Sequence, residues 1–244
     1  MTKQFIIIKI LLNLTYLAEI TPFFFCLLFF QRIITKEMKV FFVYTIIVAL
    51  FLIIYLPALH ILTSYYFFII RLFLLLEFII LSILYISIFK SNKSKQFIVL
   101  SICFYTSYWI YNFYNSKFSE FDFIPLVVEC LFFTLLIVYY FYDLIQHNFT
   151  IPLYQLPSFW ISVAFLLYFS GNFFLFLYSK SMMNEPGWRD QYTIIYSSIT
   201  ILKDVLLCAG IIVNKNLVVR TNIDTIPNNL NLDSFQPFNK SINP

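Results

Sequence analysis

Apolar residues in this chain come in long, nearly unbroken runs rather than in alternation, at 10–31, 39–58, 67–89, 96–115, 123–145, 157–179 and 193–213. Each run reaches the roughly twenty residues that a helix needs to cross a bilayer. The pattern predicts an all-α fold, a polytopic bundle of about seven transmembrane helices over 1–219. The first run follows a basic start, MTKQFIIIKILLNL, as in a signal peptide. No small-residue cleavage site follows, and Glu19 and Pro22 interrupt the run, so it is read as the first span. Pro125 and Pro157 stand at the starts of spans 5 and 6, where a missing N–H costs nothing, and Pro57 near the end of span 2. Pro22 sits mid-span and is expected to kink the first helix. Residues 220–244 are polar, rich in Asn and without apolar period, which predicts a disordered tail.

Orientation follows from the lysines and arginines in the short connections. Arg32, Lys36, Lys39, Lys90, Lys93, Lys95, Lys215, Arg220 and Lys240 fall on one side, and Lys3, Lys9, Lys117, Lys180 and Arg189 on the other. Nine against five places the N-terminus outside and the C-terminus inside, with the tail in the cytoplasm. The fifth connection, DLIQHNFTIPLYQLP, carries no Lys or Arg and adds nothing to that count.

Composition agrees: 61% of residues are hydrophobic and only 11% charged, which no soluble domain of this length could cover. The net charge of +4 is explained by basic residues at span ends, so the bilayer and not nucleic acid is the expected partner. Cys26, Cys103, Cys130 and Cys208 lie in apolar runs without metal-ligand spacing and read as small hydrophobes. His60 and His147 lie in connections on opposite sides and cannot share a metal. No Ser with a nearby base, HExxH, phosphate loop or paired-aspartate pattern appears. Neither catalysis nor a metal or cofactor is indicated.

What remains is a set of polar residues inside the spans. Lys203 and Asp204 stand side by side in ILKDVLL, and a buried ionisable residue in a span marks a functional or pairing site by default. Counting about 1.5 Å per residue, Glu19, Glu77, Lys203 and Asp204 all fall roughly 13 to 17 Å below the outer boundary, with Glu129 shallower and Asn172 at a similar depth. On span 7, Tyr196, Thr200 and Lys203 share one face, and on span 4 Ser101, Tyr105, Tyr108 and Asn112 form a stripe with Trp109 beside it. Such stripes also serve plain packing between helices. Arg71 lies about one turn inside span 3 and reads as an interface anchor. Because adjacent residues point about 100° apart on a helix, Lys203 is expected to pair across the bundle with Glu77 or Glu19, leaving Asp204 another partner or a proton. With one cation among Glu19, Glu77, Glu129 and Asp204, either some carboxylates are expected to be protonated or the layer is expected to admit water, a metal ion, protons or a cationic ligand.

Two segments echo each other: LAEITPFFFCLLFFQ with VVECLFFTLLIVYYF, and LLLEFIILSI with ILKDVLLCAG, aligning Glu19 with Glu129 and Glu77 with Asp204. A three-plus-one-plus-three carrier with span 4 as connector would have this form. A lysine in a seventh span also suggests a retinal protein, but RLFLLLEFIILS lacks the matching counter-ion pattern. FWISVAFLLYFSGNFFLFLY followed by ILKDVLLCAG resembles a group of small seven-helix bacterial inner-membrane proteins, some similar to the sensory halves of signalling proteins. That resemblance implies an inner-membrane, receptor-like component without catalytic residues. The tail is too short for an output domain, so the expected partner is a separate cytoplasmic signalling protein.

Overall fold

A computed structural model describes residues 3–61, 66–115, 123–146, 152–182 and 185–224. Among them are seven α-helices and no strand: α1 Lys3–Leu28, α2 Lys36–Ile61, α3 Tyr66–Ile88, α4 Asn92–Asn115, α5 Ile124–Gln146, α6 Pro157–Met182 and α7 Trp188–Asp224. Ile, Phe and Tyr favour strands in water. Here the apolar runs are too long and too uniform for a half-buried strand, and a lipid-facing backbone must bond within its own segment. Helix is the outcome throughout. Six helices are long and apolar enough to cross a membrane, and α4 is the exception. Its first turns read NKSKQ and its later turns carry the Ser, Tyr and Asn stripe, which dilutes an otherwise apolar segment.

The helix ends follow local chemistry. Pro157 opens α6 and Pro125 lies in the first turn of α5, where neither breaks a hydrogen bond. Gly187, with φ of 86°, makes the turn into α7, where Trp188 N–H donates to the Glu185 carbonyl at 3.2 Å. α1 runs as one continuous helix through Pro22. α7 runs on to Asp224, five residues into the segment read as tail. The rest of that tail, Lys117 and His147 lie outside the described residues, whereas the His60 backbone belongs to α2.

Neighbouring helices pack in the order α4, α3, α2, α1, α7, α6, α5. Side chains close the arrangement, because α3 also meets α5 through Phe78 and Phe133, with ring centroids 5.3 Å apart, and α6 through Tyr85 Oη, which donates to Ser162 Oγ at 3.2 Å. α3 thus buries one face among its neighbours, with Phe78, Leu81, Ser82, Leu84 and Tyr85 all buried, while Leu72, Leu76 and Ile83 stay exposed. A relay of rings crosses the interior from Tyr44 on α2 to Phe165 and Phe169 on α6, Phe133 on α5, Phe78 on α3 and Tyr105 on α4. Aromatic pairs add specific geometry to plain area burial. Two glycines allow close approach at the α6/α7 seam: a Cβ on Gly171 would stand 2.9 Å from Ile199 Cδ1, and one on Gly210 3.2 Å from Ile161 Cγ1. Outward faces are apolar, as at Leu28, Phe104 and Ile145, which suits hydrocarbon.

Candidate functional site

α7 presents Ser197, Thr200, Asp204, Leu207 and Ile211 to the interior at helical spacing, with Lys203 beside them, all buried. Lys203 Nζ lies 3.3 Å from Asp204 Oδ1, so the two neighbours are ion-paired with each other. This corrects the expectation of a cross-bundle partner. Adjacent Cβ atoms do diverge, but the four-carbon lysine stem is long enough to fold its ammonium back over the next carboxylate. The Tyr168 ring of α6, with its centroid 4.8 Å from Nζ, supports it from the other side.

The other acids gather around this pair. Glu77 of α3 is buried and accepts a hydrogen bond from Tyr44 Oη of α2 at 3.2 Å. It still acts on Lys203 electrostatically, as does the half-buried Glu19 of α1. Asp204 and Glu77 also act on Glu19 electrostatically. Glu129 of α5 is buried, accepts a hydrogen bond from Tyr105 of α4 and acts electrostatically on Glu77. Tyr196 lies within hydrogen-bonding reach of Tyr168 and near Glu19. Three carboxyl groups, from α1, α3 and α7, therefore act on one ammonium, and Glu129 of α5 joins them through Glu77. If all were ionised, the cluster would carry three net negative charges, four minus one.

Several polar atoms in this interior have no hydrogen-bond partner: both amide atoms of Asn172, Thr200 Oγ1, Ser197 Oγ and Asp204 Oδ2. Buried groups of this kind are costly. Ser197, Thr200 and Asp204 lie within two turns of one another on α7, on the face that holds Lys203. Among the described residues no three His, Cys, Asp or Glu side chains are grouped to hold a metal ion.

The span 4 stripe divides. Tyr105 is buried, stacks on Phe78 at 3.9 Å and faces Glu129 and Glu77. Ser101 Oγ donates to its own helix at the Phe97 carbonyl, and Trp109 Nε1 donates to the Arg71 carbonyl at 3.0 Å. Asn112 lines a small niche with Arg71, Leu74 and Pro125, away from Lys203, and Tyr108 is half-buried. Arg71, at 8% exposure, is enclosed by α4 and α5 rather than extended as an interface anchor. Its position on α3 is six residues, roughly 9 Å, from Glu77.

Two members of the cluster escaped the reading of the chain. Tyr168 lies four residues before Asn172 on α6, a same-face spacing that signals it. Tyr44 has no such signal, since a tyrosine in an apolar span is ordinary until its partner is known.

An apolar cleft of about 490 Å³ opens between α4 and α5 over Phe78 and Tyr105. Neither it nor the Arg71 niche is lined by Lys203 or Asp204. Compared with known families, curated proteins and solved structures, the chain matches none.

Proposed function

We propose that this multi-pass membrane protein is a receptor-like, sensory component whose interior cluster binds protons or a small cation. Its setting would be a cell inner membrane, with α4 as a seventh crossing, the N-terminus outside and the C-terminus inside. The observation that carries this reading is the surplus of Glu19, Glu77, Glu129 and Asp204 over Lys203, beside unpartnered Asn172, Thr200 and Ser197. A cluster built only for packing would match its donors to its acceptors. Binding a positive charge between Glu77 and Asp204 would displace Tyr44 or Lys203, each held by a neighbouring helix. A change in occupancy would thereby alter the seams among α2, α3, α6 and α7. A separate cytoplasmic signalling protein would read that change, and no chemical step is assigned to the protein itself.

The test is intrinsic tyrosine and tryptophan fluorescence of the protein in lipid nanodiscs, titrated with acid and separately with sodium, potassium and methylammonium. A saturable change is expected in the natural sequence and is expected to be lost or displaced in Glu77→Gln and Asp204→Asn. Identical titrations in all three proteins would reduce the cluster to packing.

A second reading, a small-solute or proton-coupled carrier, draws support from the two helix triplets. α1, α2 and α3 pack in sequence, as do α5, α6 and α7, with α4 beside α3. Tyr44 meets Glu77 between the second and third helices of one triplet, and Tyr168 meets Lys203 between the same helices of the other. Proton or solute flux into sealed proteoliposomes, lost in Glu77→Gln, is the result that favours the carrier over the receptor.

A further inference from the structure

Glu129 differs from the other three acids of the cluster in the charge it meets. Asp204, Glu19 and Glu77 act on the Lys203 ammonium, whereas the charged group that bears on Glu129 is the Glu77 carboxyl. Packing brings these two acids together from facing helices. Phe78, adjacent to Glu77 on α3, has its ring centroid 5.1 Å from that of Phe132 and 5.3 Å from that of Phe133 on α5. Glu129 stands three and four residues before those two rings, one helical turn away. Tyr105 of α4 stacks on Phe78 at 3.9 Å and donates a hydrogen bond to Glu129, while Tyr44 of α2 donates to Glu77 at 3.2 Å. Each acid thus has one tyrosine donor, from opposite sides of the pair. Glu77 is 6% and Glu129 1% exposed, so bulk water does not screen one from the other.

We propose that Glu77 and Glu129 form a carboxyl pair that holds a single proton, carried on Glu129. This rests on the proton-binding reading of the interior cluster and names the groups that hold the proton. Two neighbouring carboxylates in a dry interior do not both stay ionised, and the one in the less favourable surroundings keeps the proton. Glu77 has the Lys203 ammonium and the Tyr44 hydroxyl to stabilise its charge, whereas Glu129 has the Tyr105 hydroxyl. The groups facing the pair from neighbouring elements agree with that assignment. α6 presents the Phe169 ring to Phe133, α7 supplies Lys203 and Asp204, and Cys130 adjoins Glu129 on α5 itself. Arg71 of α3 is enclosed in the niche with Asn112 and Pro125. With Glu129 neutral, the cluster carries three carboxylates and one ammonium, and its net negative charge falls from three to two. Moving the proton to Glu77 would remove one of the three carboxylates that act on Lys203 and neutralise the acceptor of Tyr44. The proton's position therefore links the α3/α5 seam to the seams of α2 and α7.

The experiment is infrared spectroscopy of the full chain at neutral pH in dodecyl maltoside, a detergent without carbonyl groups. A carboxylic acid C=O band is expected in the natural sequence. It is expected to be lost in Glu129→Gln, because Glu77 then keeps its charge beside Lys203, and to persist in Asp204→Asn. In Glu77→Gln the band is expected to persist at a shifted frequency, since Glu129 remains the protonated group. Tyr105→Phe is expected to raise its frequency by removing the hydrogen bond to Glu129. That variant decides the matter if Glu129→Gln fails to fold. The proposal is overturned if the band survives unchanged in Glu129→Gln, or if Tyr105→Phe leaves its frequency where it was. It is equally overturned if the natural sequence shows no such band, which would mean that both acids are ionised with Arg71 as the second cation. A missing band refutes the shared proton and leaves the fluorescence titrations to stand or fall by themselves. Flat titrations with the band present leave a fixed proton in a cluster that does not sense.

Discussion

Replacing Lys203 by Met removes the ammonium from a carboxylate 3.3 Å away while keeping much of the side-chain volume. Lys203 and Asp204 are 4% and 2% exposed, so water cannot take over the lost interaction. At that separation, with an effective dielectric near 20, the attraction is about 5 kcal/mol. The Tyr168 ring adds roughly 0.5 to 2 kcal/mol as a cation–π contact. Desolvating two ions costs several kcal/mol each, so the pair as a whole sits near break-even, whereas breaking it costs about 3–5 kcal/mol. Lys203→Met should therefore destabilise the bundle by about 3–5 kcal/mol. Asp204→Asn should cost less, about half as much, because Glu19 and Glu77 still act on the ammonium. The double variant should be more stable than Lys203→Met alone, since no isolated charge of the pair is left behind. Reversible unfolding in mixed detergent and SDS micelles, followed by far-ultraviolet circular dichroism, measures all three. If the two single effects add in the double variant to within about 0.5 kcal/mol, the side chains do not interact and the reading of this pair is wrong.

Two further outcomes are checked in the same unfolding assay. Tyr44→Phe keeps the ring against Phe165 but removes the donor to Glu77, and should cost about 1.5–3 kcal/mol, as for a hydrogen bond to a charged group; a cost near zero would show that Tyr44 does not serve Glu77. Gly210→Ala should be close to neutral, because a helix-propensity gain of about 1 kcal/mol offsets contacts of 3.2 Å to Ile161 and 3.4 Å to the Pro157 carbonyl. Gly210→Leu should cost about 1–3 kcal/mol by forcing α6 and α7 apart, and a neutral leucine there would mean the seam is loose.

Taken alone, the chain determined the class of the protein and the positions of its helices. Apolar runs of about twenty residues have one stable form in hydrocarbon, because every backbone N–H and C=O must then bond within its own segment. Helical periodicity likewise marked the inward faces of two helices, since Thr200, Lys203 and Tyr105 recur at three- and four-residue spacings with other polar groups. Periodicity says which side of a helix is polar but not which helix it meets. Only the tertiary structure decided that Lys203 turns to its own neighbour Asp204, that Glu77 receives Tyr44, and that Arg71 is enclosed near Asn112. The span 4 stripe shows the limit, for its equally spaced residues point to three destinations: Tyr105 to Glu129, Ser101 to its own backbone, and Asn112 to the Arg71 niche. These outcomes depend on side-chain reach, on the close approach that Gly171 and Gly210 permit, and on which face of α3 meets α5 and α6. Each is a relation between segments far apart in the chain, and no local pattern encodes it.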